Sequence, residues 1–450
     1  MIVFRKRLIY WLLKEYIKKW KKIIFLSFFI GLFVFFAFLT IIRYFLPGIP
    51  VGKNEIIGVV GAYREDSLPD FILEEMSSGL TQVDVHGEPK PAVAVGWKVE
   101  NKKKYTFYLT HNATFADGSK VTADAIQYNF SNVSVKRPDQ YTIVFELKDI
   151  YSPFLVTASR PIFKKGYVGV GPYTLRDVKQ NGNFVQSLSL SLIKDPYKTR
   201  IYQFYPSAEA LKIAYMLGEI TKAIGLSDSK YKTGSFTDFP NTSVEKITNY
   251  HQLITLFYNT QDSVLSDKRV RSALSYALPD TFSSGKRSSM PFPPSLWGYT
   301  ETYVYSQDID QAKILLATSE SGTKSATIKI EIKTLSRYLP TAQEVKNAWE
   351  KIGIETKITV VDSLPSNFQV FLGNFFVPKD PDQYTLWHTN QTNNITRYEN
   401  KRIDKLLEDG RTTIDVNERK KIYIDFQKYL TADAPASFLY FPYEYEITRK

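Results

Sequence analysis

The chain predicts an α/β fold of more than one lobe behind a single membrane-spanning helix, on three observations. Its 450 residues can bury a large core and at this length normally divide into two or more lobes. Residues 327–361 read strand, helix, strand, the unit that builds a right-handed parallel crossover. Residues 23–42 are twenty positions without a charge, which at about 1.5 Å each match the roughly 30 Å of bilayer hydrocarbon.

Composition and charge narrow the reading. With 44% hydrophobic and 15% aromatic residues the chain is globular. It has no cysteine, which excludes disulfides, thiolate metal sites and a lipidated cysteine anchor. Of the formal charge of +12, residues 1–22 carry +7 and Arg43 one more, leaving an ordinary +4 for the rest. No basic stripe remains to hold nucleic acid, so none is expected as a partner. The basic side of Ile23–Ile42 belongs in the cytoplasm and the large domain outside. The apolar run is long for a signal peptide and no Ala-x-Ala site follows before Pro47, which favours an uncleaved anchor. Residues 5–20 mix Leu8, Trp11, Leu12 and Tyr16 with basic residues, and read either as a segment along the inner headgroups or as a solvated linker.

After the Pro47-Gly48-Ile49-Pro50 break, Ile56 to Val60 reads as a strand and Phe71 to Leu80 as a helix. Tyr105, Phe107 and Leu109 alternate with polar neighbours as a half-buried strand, Asp117-Gly118 turns, and Thr122 is expected to cap a helix through Phe130. Tyr141 to Leu147 alternates again. The Gly169-Val170-Gly171-Pro172 turn is no phosphate cradle, since the proline removes a backbone donor and no third glycine follows. Ser207 caps a helix that stops at Gly218. Leu253 to Asn259 is strand-like, and Ser266 is expected to cap the helix ending before Pro279. Asn417 to Leu430 makes a last long helix, and Pro435 to Tyr443 returns as a strand.

Several of these segments together resemble family 5 extracellular solute-binding proteins, the peptide receptors of ABC importers. The resemblance rests on Pro91, Ala94 with Trp97, Tyr105 to Leu109, Phe115 to Gly118 and Thr122 to Ala125 in that order. Pro153-Phe154, Gly171-Pro172-Tyr173, Gly218-Glu219 and the Val270-Arg271-Ser272-Ala273-Leu274 helix extend it, as do Asp380-Pro381, Asn394, Tyr398, Asn400, Asp404, Leu406-Leu407 and Arg419. It implies a two-lobed periplasmic-binding-protein-like fold of type II, peptide-receptor subclass, with an N-terminal transmembrane helix. The divisions expected are a basic segment 1–22, a span 23–42, a tether 43–54, lobe I 55–254 with an inserted subdomain at about 80–165, lobe II 255–432, and a return to lobe I over 433–450. The hinge is expected at Phe257, Tyr258 and Asn259, with the return at Pro435.

No catalytic pattern accompanies this. The four histidines stand in unrelated contexts, and Gly-x-Ser-x-Gly, Ser-x-x-Lys and phosphate-loop motifs are absent, so neither an enzyme, a metal site nor a cofactor is expected. Residues 368–400 are the best site candidate, because a Phe-rich strand runs through a Pro-rich loop into an Asn/Thr-rich stretch, the mixture of flat apolar area and adaptable hydrogen bonding that a ligand cleft uses. The candidate ligand-binding residues are Tyr63, Asn259, Asn374, Phe375, Phe376, Val377, Asp380, Asp382, Trp387 and His388. In the resembling receptors an Asp pairs with the peptide's free α-amino group at the position held here by Val377, and a Trp stands where Asn374 does. Val377 cannot balance an ammonium, which puts recognition of a free peptide N-terminus in doubt. The resemblance implies a peptide-like or small-molecule ligand and an ABC permease as partners. An anchored hydrolase, or a sensor or assembly protein that has lost transport, are the alternative readings.

Overall fold

The computed structural model describes residues 6–45, 54–302, 305–319 and 327–450. The Pro47–Pro50 break and the start of the basic segment lie outside them. The chain forms two compact units, Met1–Lys53 and Asn54–Lys450. In the first, one helix runs over Lys6–Phe45, and within it Leu13–Phe38 is long and apolar enough to cross a membrane.

The second unit is organised by its last strand. Ala436–Arg449 is fourteen residues long, and its two halves belong to different packing layers. The first half pairs antiparallel with Gln252–Tyr258, from Phe257 opposite Ala436 to Ile254 opposite Tyr440. The second half pairs with Thr242–Thr248 and with Lys222–Leu226. Strands Val370–Phe376, Lys329–Leu335 and Glu355–Val361 extend the sheet on one side, and Asn54–Val60, Asp195–Tyr205, Phe184–Leu192 and Tyr173–Asn181 extend it on the other. The result is two lobes sharing one strand.

Alternation decides what each face buries. In Gln252–Tyr258, Ile254, Leu256 and Tyr258 point into a cluster with Val270, Leu274, Ile332, Val345 and Trp349. Leu253 and Phe257 point the other way, into a cluster with Phe375, Trp387, Tyr423 and Phe426. At about 1.5–3 kcal/mol for each large apolar side chain buried, these two layers hold the lobe together. The strand, helix, strand unit is realised by Lys329–Leu335, Leu339–Glu350 and Glu355–Val361, with the two strands parallel and Ile332 opposite Ile358. A separate antiparallel sheet of Ala94–Glu100, Lys104–Leu109, Val133–Asp139 and Thr142–Leu147 closes over Tyr105, Phe107, Phe145 and Phe154.

Four local expectations are corrected. Beyond Thr122 there is only a 3₁₀ turn, Ala123–Ala125, and no side-chain cap. The Arg137 guanidinium donates to the carbonyls of Ala123 and Ile126 at 2.8 and 2.9 Å, holding the backbone in this turn, where Ile126 leaves the helical region. Asp267, not Ser266, caps Lys268–Tyr276, its carboxylate accepting from the Arg269 amide at 2.8 Å. The chain crosses between lobes at 249–251 and 441–443, where the Asn249 amide donates to the Pro442 carbonyl at 2.9 Å. Phe257, Tyr258, Asn259 and Pro435 therefore lie at the remote end of the strand pair, where the Tyr258 amide donates to the Pro435 carbonyl, and the last strand stays in lobe II until Pro442. The Gly169-Val170-Gly171 turn has a packing cause: a Cβ on either glycine would stand within 2.5 Å of the carbonyl oxygen of Met76 or Glu75.

Candidate ligand site

Strand ends build the site. Lys329–Leu335, Glu355–Val361 and Val370–Phe376 run parallel, and their carboxyl ends lie together, the place where open α/β sheets bind ligands. There a pocket of about 290 Å³ is lined by Phe257, Leu335, Leu364, Phe371, Gly373, Asn374, Phe375, Leu386, Trp387, Asn393, Ile395 and Thr396. Its floor is the sheet face carrying Phe257, Phe371 and Phe375. Gly373 makes room for the Phe371 ring on that floor, since a Cβ there would meet the ring at 2.5 Å. Among the described residues no charged side chain lines it. Its polar groups are the amides of Asn374 and Asn393 and the Thr396 hydroxyl, and the Asn374 Oδ1 accepts from the Tyr338 hydroxyl at 2.8 Å and from Arg337 at 3.3 Å. Burial pushes the Tyr338 phenol further above its ordinary pKa.

Of the residues singled out in the sequence, this pocket gathers Asn374, Phe375 and Trp387, with Phe257 from the expected hinge. Phe376, the last strand residue, is 71% exposed. Val377 beside it is buried in the apolar cluster, and its amide donates to the His251 carbonyl at 2.9 Å. Tyr63 follows the strand Asn54–Val60 in lobe I, packs on Phe204 with centroids 5.1 Å apart, and has its pKa raised by burial and then by the Glu444 carboxylate.

The remaining candidates are tied into the scaffold. Asp380 is held bidentate by Arg419 at 2.8 and 3.1 Å, both side chains buried. Asp382 accepts from Arg411 at 2.8 Å; burial raises its pKa and Arg411 opposes the rise. His388 stacks on Tyr384 at 4.2 Å and lies 3.4 Å from the Glu408 carboxylate. Asn259 donates to the Phe368 carbonyl at 3.1 Å, tying the end of its strand to the segment before Val370. These four residues carry the turns that carry the pocket. Among the described residues no group of His, Cys, Asp and Glu is arranged to hold a metal.

Sequence reasoning passed over Gly373, Leu335, Leu364 and Ile395. A glycine inside an apolar strand is a signal of close approach, and Gly373 carried it. It also missed the contacts between lobes. Lys379 of lobe II reaches the Glu74 carboxylate of lobe I at 2.6 Å. The Trp297 amide donates to the His86 carbonyl at 2.9 Å, and the Ser152 hydroxyl donates to the Gly410 carbonyl at 2.9 Å.

Known proteins are similar to this chain in sequence and fold. The probable D,D-dipeptide-binding periplasmic protein DdpA of Escherichia coli (strain K12) is 23% identical over 425 residues, covering 79% of each chain. The nickel-binding protein NikA of Staphylococcus aureus is 24% identical, covering 81% of this chain and 82% of its own. Among solved structures, CtaP, an ABC transporter substrate-binding protein of Listeria monocytogenes, superimposes with a TM-score of 0.74 at 21% identity, over 88% of this chain and 94% of that one. AppA of Bacillus subtilis, in complex with a nonapeptide, does so with a TM-score of 0.68 at 21% identity, over 89% and 95%. These structures share the two-lobed fold. Residues 88–396, more than half the chain, match the model of the bacterial extracellular solute-binding proteins, family 5 (middle), and the chain belongs to that family.

Proposed function

We propose that this protein is the membrane-anchored, extracytoplasmic receptor of an ABC importer, closing its two lobes on a peptide-like or other small organic ligand. The observation that carries the reading is the mostly apolar pocket at the strand ends of lobe II, in a chain that crosses between its lobes at 249–251 and 441–443. Those crossings are the natural hinge, since only two short segments must change backbone angles for the lobes to close. Affinity then comes from burying ligand surface, and no covalent step is required. The pocket suits an apolar or neutral polar side group of the ligand, held by the Asn374, Asn393 and Thr396 side chains. Relatives are named for peptides and for nickel; the uncharged lining favours the organic class.

The anchored topology rests on the helix Lys6–Phe45, on its apolar stretch Leu13–Phe38, and on the eight Lys/Arg that precede Ile23. Anchoring would raise the receptor's effective concentration at a permease. Among the described residues the pocket keeps about 290 Å³ of open space, which weighs against a sensor or assembly protein that has lost transport and fills the cleft with its own side chains.

Native mass spectrometry of protein purified from its own host tests the reading. A co-purifying small molecule, recovered unchanged and lost on Leu364→Trp at the pocket rim, is the expected result. Recovery of a cleaved product, or binding indifferent to substitutions around the pocket, would refute it. Protease added to intact cells should remove the large domain.

A further inference from the structure

The helix Lys6–Phe45 has forty residues and at about 1.5 Å each is about 60 Å long, roughly twice the hydrocarbon thickness of a bilayer. The charge-free run Ile23–Ile42 by itself fills that layer, so the charged half before it, which overlaps the start of the apolar stretch Leu13–Phe38, is left to lie outside, and that half is two-sided. Leu13, Tyr16, Ile17 and Trp20 recur at helical spacing on one face, all exposed, with the Tyr16 and Trp20 rings 6.4 Å apart. Lys14, Lys18, Lys21 and Lys22 recur on another face, also exposed and shared with Trp11, with Glu15 the one acid between Tyr10 and Lys22. Among the described residues of the unit, nothing covers either face.

We propose that residues 10–22 bind the anionic phospholipid headgroups of the inner leaflet, with Leu13, Tyr16, Ile17 and Trp20 in the acyl boundary and the lysines on the phosphates. The inference rests on the anchored reading above and adds a partner to it. Charge complementarity selects the occupant. A solvated linker gains nothing from an apolar stripe beside its lysines. A helix of another membrane protein would meet the stripe but leave the lysines without counter-charge, whereas an anionic surface satisfies both faces at once. Lying flat requires the helix to turn near Lys22, where the basic half meets the span, and headgroup phosphate and water can take up the backbone groups released there. The aromatic rings suit that depth, since Trp and Tyr favour the boundary between acyl chains and water.

The full chain serves for the test because it has no cysteine of its own. Tyr16→Cys and, separately, Lys18→Cys are labelled with a nitroxide and reconstituted into bilayers of phosphatidylcholine, with or without phosphatidylglycerol. With phosphatidylglycerol the label at position 16 should be shielded from a water-soluble relaxation agent and the label at 18 should stay accessible. The shielding should fall with added salt, and each Lys→Gln change at 14, 21 or 22 should lower the bound-to-free ratio by about fivefold. Equal accessibility at 16 in both lipids, in protein that resists an alkaline wash, would overturn this inference and leave the anchor standing. Equal shielding in phosphatidylcholine alone would assign the stripe to an apolar partner and overturn it as well. Release of the chain by the wash would overturn the anchor itself.

Discussion

Replacing Asp380 by Asn distinguishes a carboxylate that supports the site from one that binds ligand. Asp380 and Arg419 are 8% and 5% exposed, joined by two hydrogen bonds of 2.8 and 3.1 Å. The guanidinium also donates to the Gly410 carbonyl at 2.9 Å and lies 5.1 Å from the Trp297 ring. An amide at 380 leaves that cation buried without counter-charge, and breaking such a pair costs about 3–5 kcal/mol. For a lobe of this size each kcal/mol moves the melting midpoint by about 2–4 °C, so a fall of about 6–20 °C is expected. Thermal and urea melts followed by tryptophan fluorescence measure it. At a temperature where the variant stays folded, affinity for the co-purifying ligand should change by less than tenfold. Wild-type stability with binding abolished would refute the reasoning and make Asp380 a ligand anchor.

Other substitutions probe the pocket, the lobe contact and the acid range. Val377→Asp puts a carboxylate among apolar side chains and should lower stability without ligand by about 1–3 kcal/mol; peptides with a free amine should recover part of it, and equal response to acetylated peptides would show that position 377 does not meet the ligand. Lys379→Glu breaks a half-exposed ion pair with Glu74 and should weaken ligand binding by no more than about fivefold, restored by adding Glu74→Lys, as isothermal titration would show. Burial works to raise the Asp433 pKa, but hydrogen bonds from Tyr398, Lys268 and Asn400 outweigh it and hold the carboxyl below its ordinary 3.8. Its contribution is present above the unfolded pKa and lost as pH falls through the lower folded one. Asp433→Asn should therefore flatten the melting curve's dependence on pH below about 4.

Local chemistry made much of the framework legible. Ser207 and Gly218 bound the helix Ala208–Leu217 because a hydroxyl cap and a left-handed glycine act within a few residues. The alternation in 327–361 set the parallel unit for the same reason: period 2 and period 3.6 are properties of the chain itself. The order of motifs from Pro91 to Arg419 was enough to recognise the family.

Where the elements met was not legible. Thr122 looked like a cap, and only the fold brought Arg137 onto the carbonyls of Ala123 and Ile126. Asp380, Asp382 and His388 read as cleft residues because polar groups in a loop carry no mark of their partners; Arg419, Arg411 and Glu408 come from later helices and turned them inward. Val377 carried the missing carboxylate in the sequence, and tertiary packing buried its side chain beside the exposed Phe376. The chain crossings fell at 249–251 and 441–443, not at Asn259, because the last strand switches partners at Pro442, and a strand's partner depends on residues far from it in the chain. The apolar span and its basic flank follow from sequence alone, since hydropathy and charge need no partner to be read; the pocket needed the whole lobe, because Phe257, Leu335, Gly373 and Thr396 share a surface only once the sheet has formed.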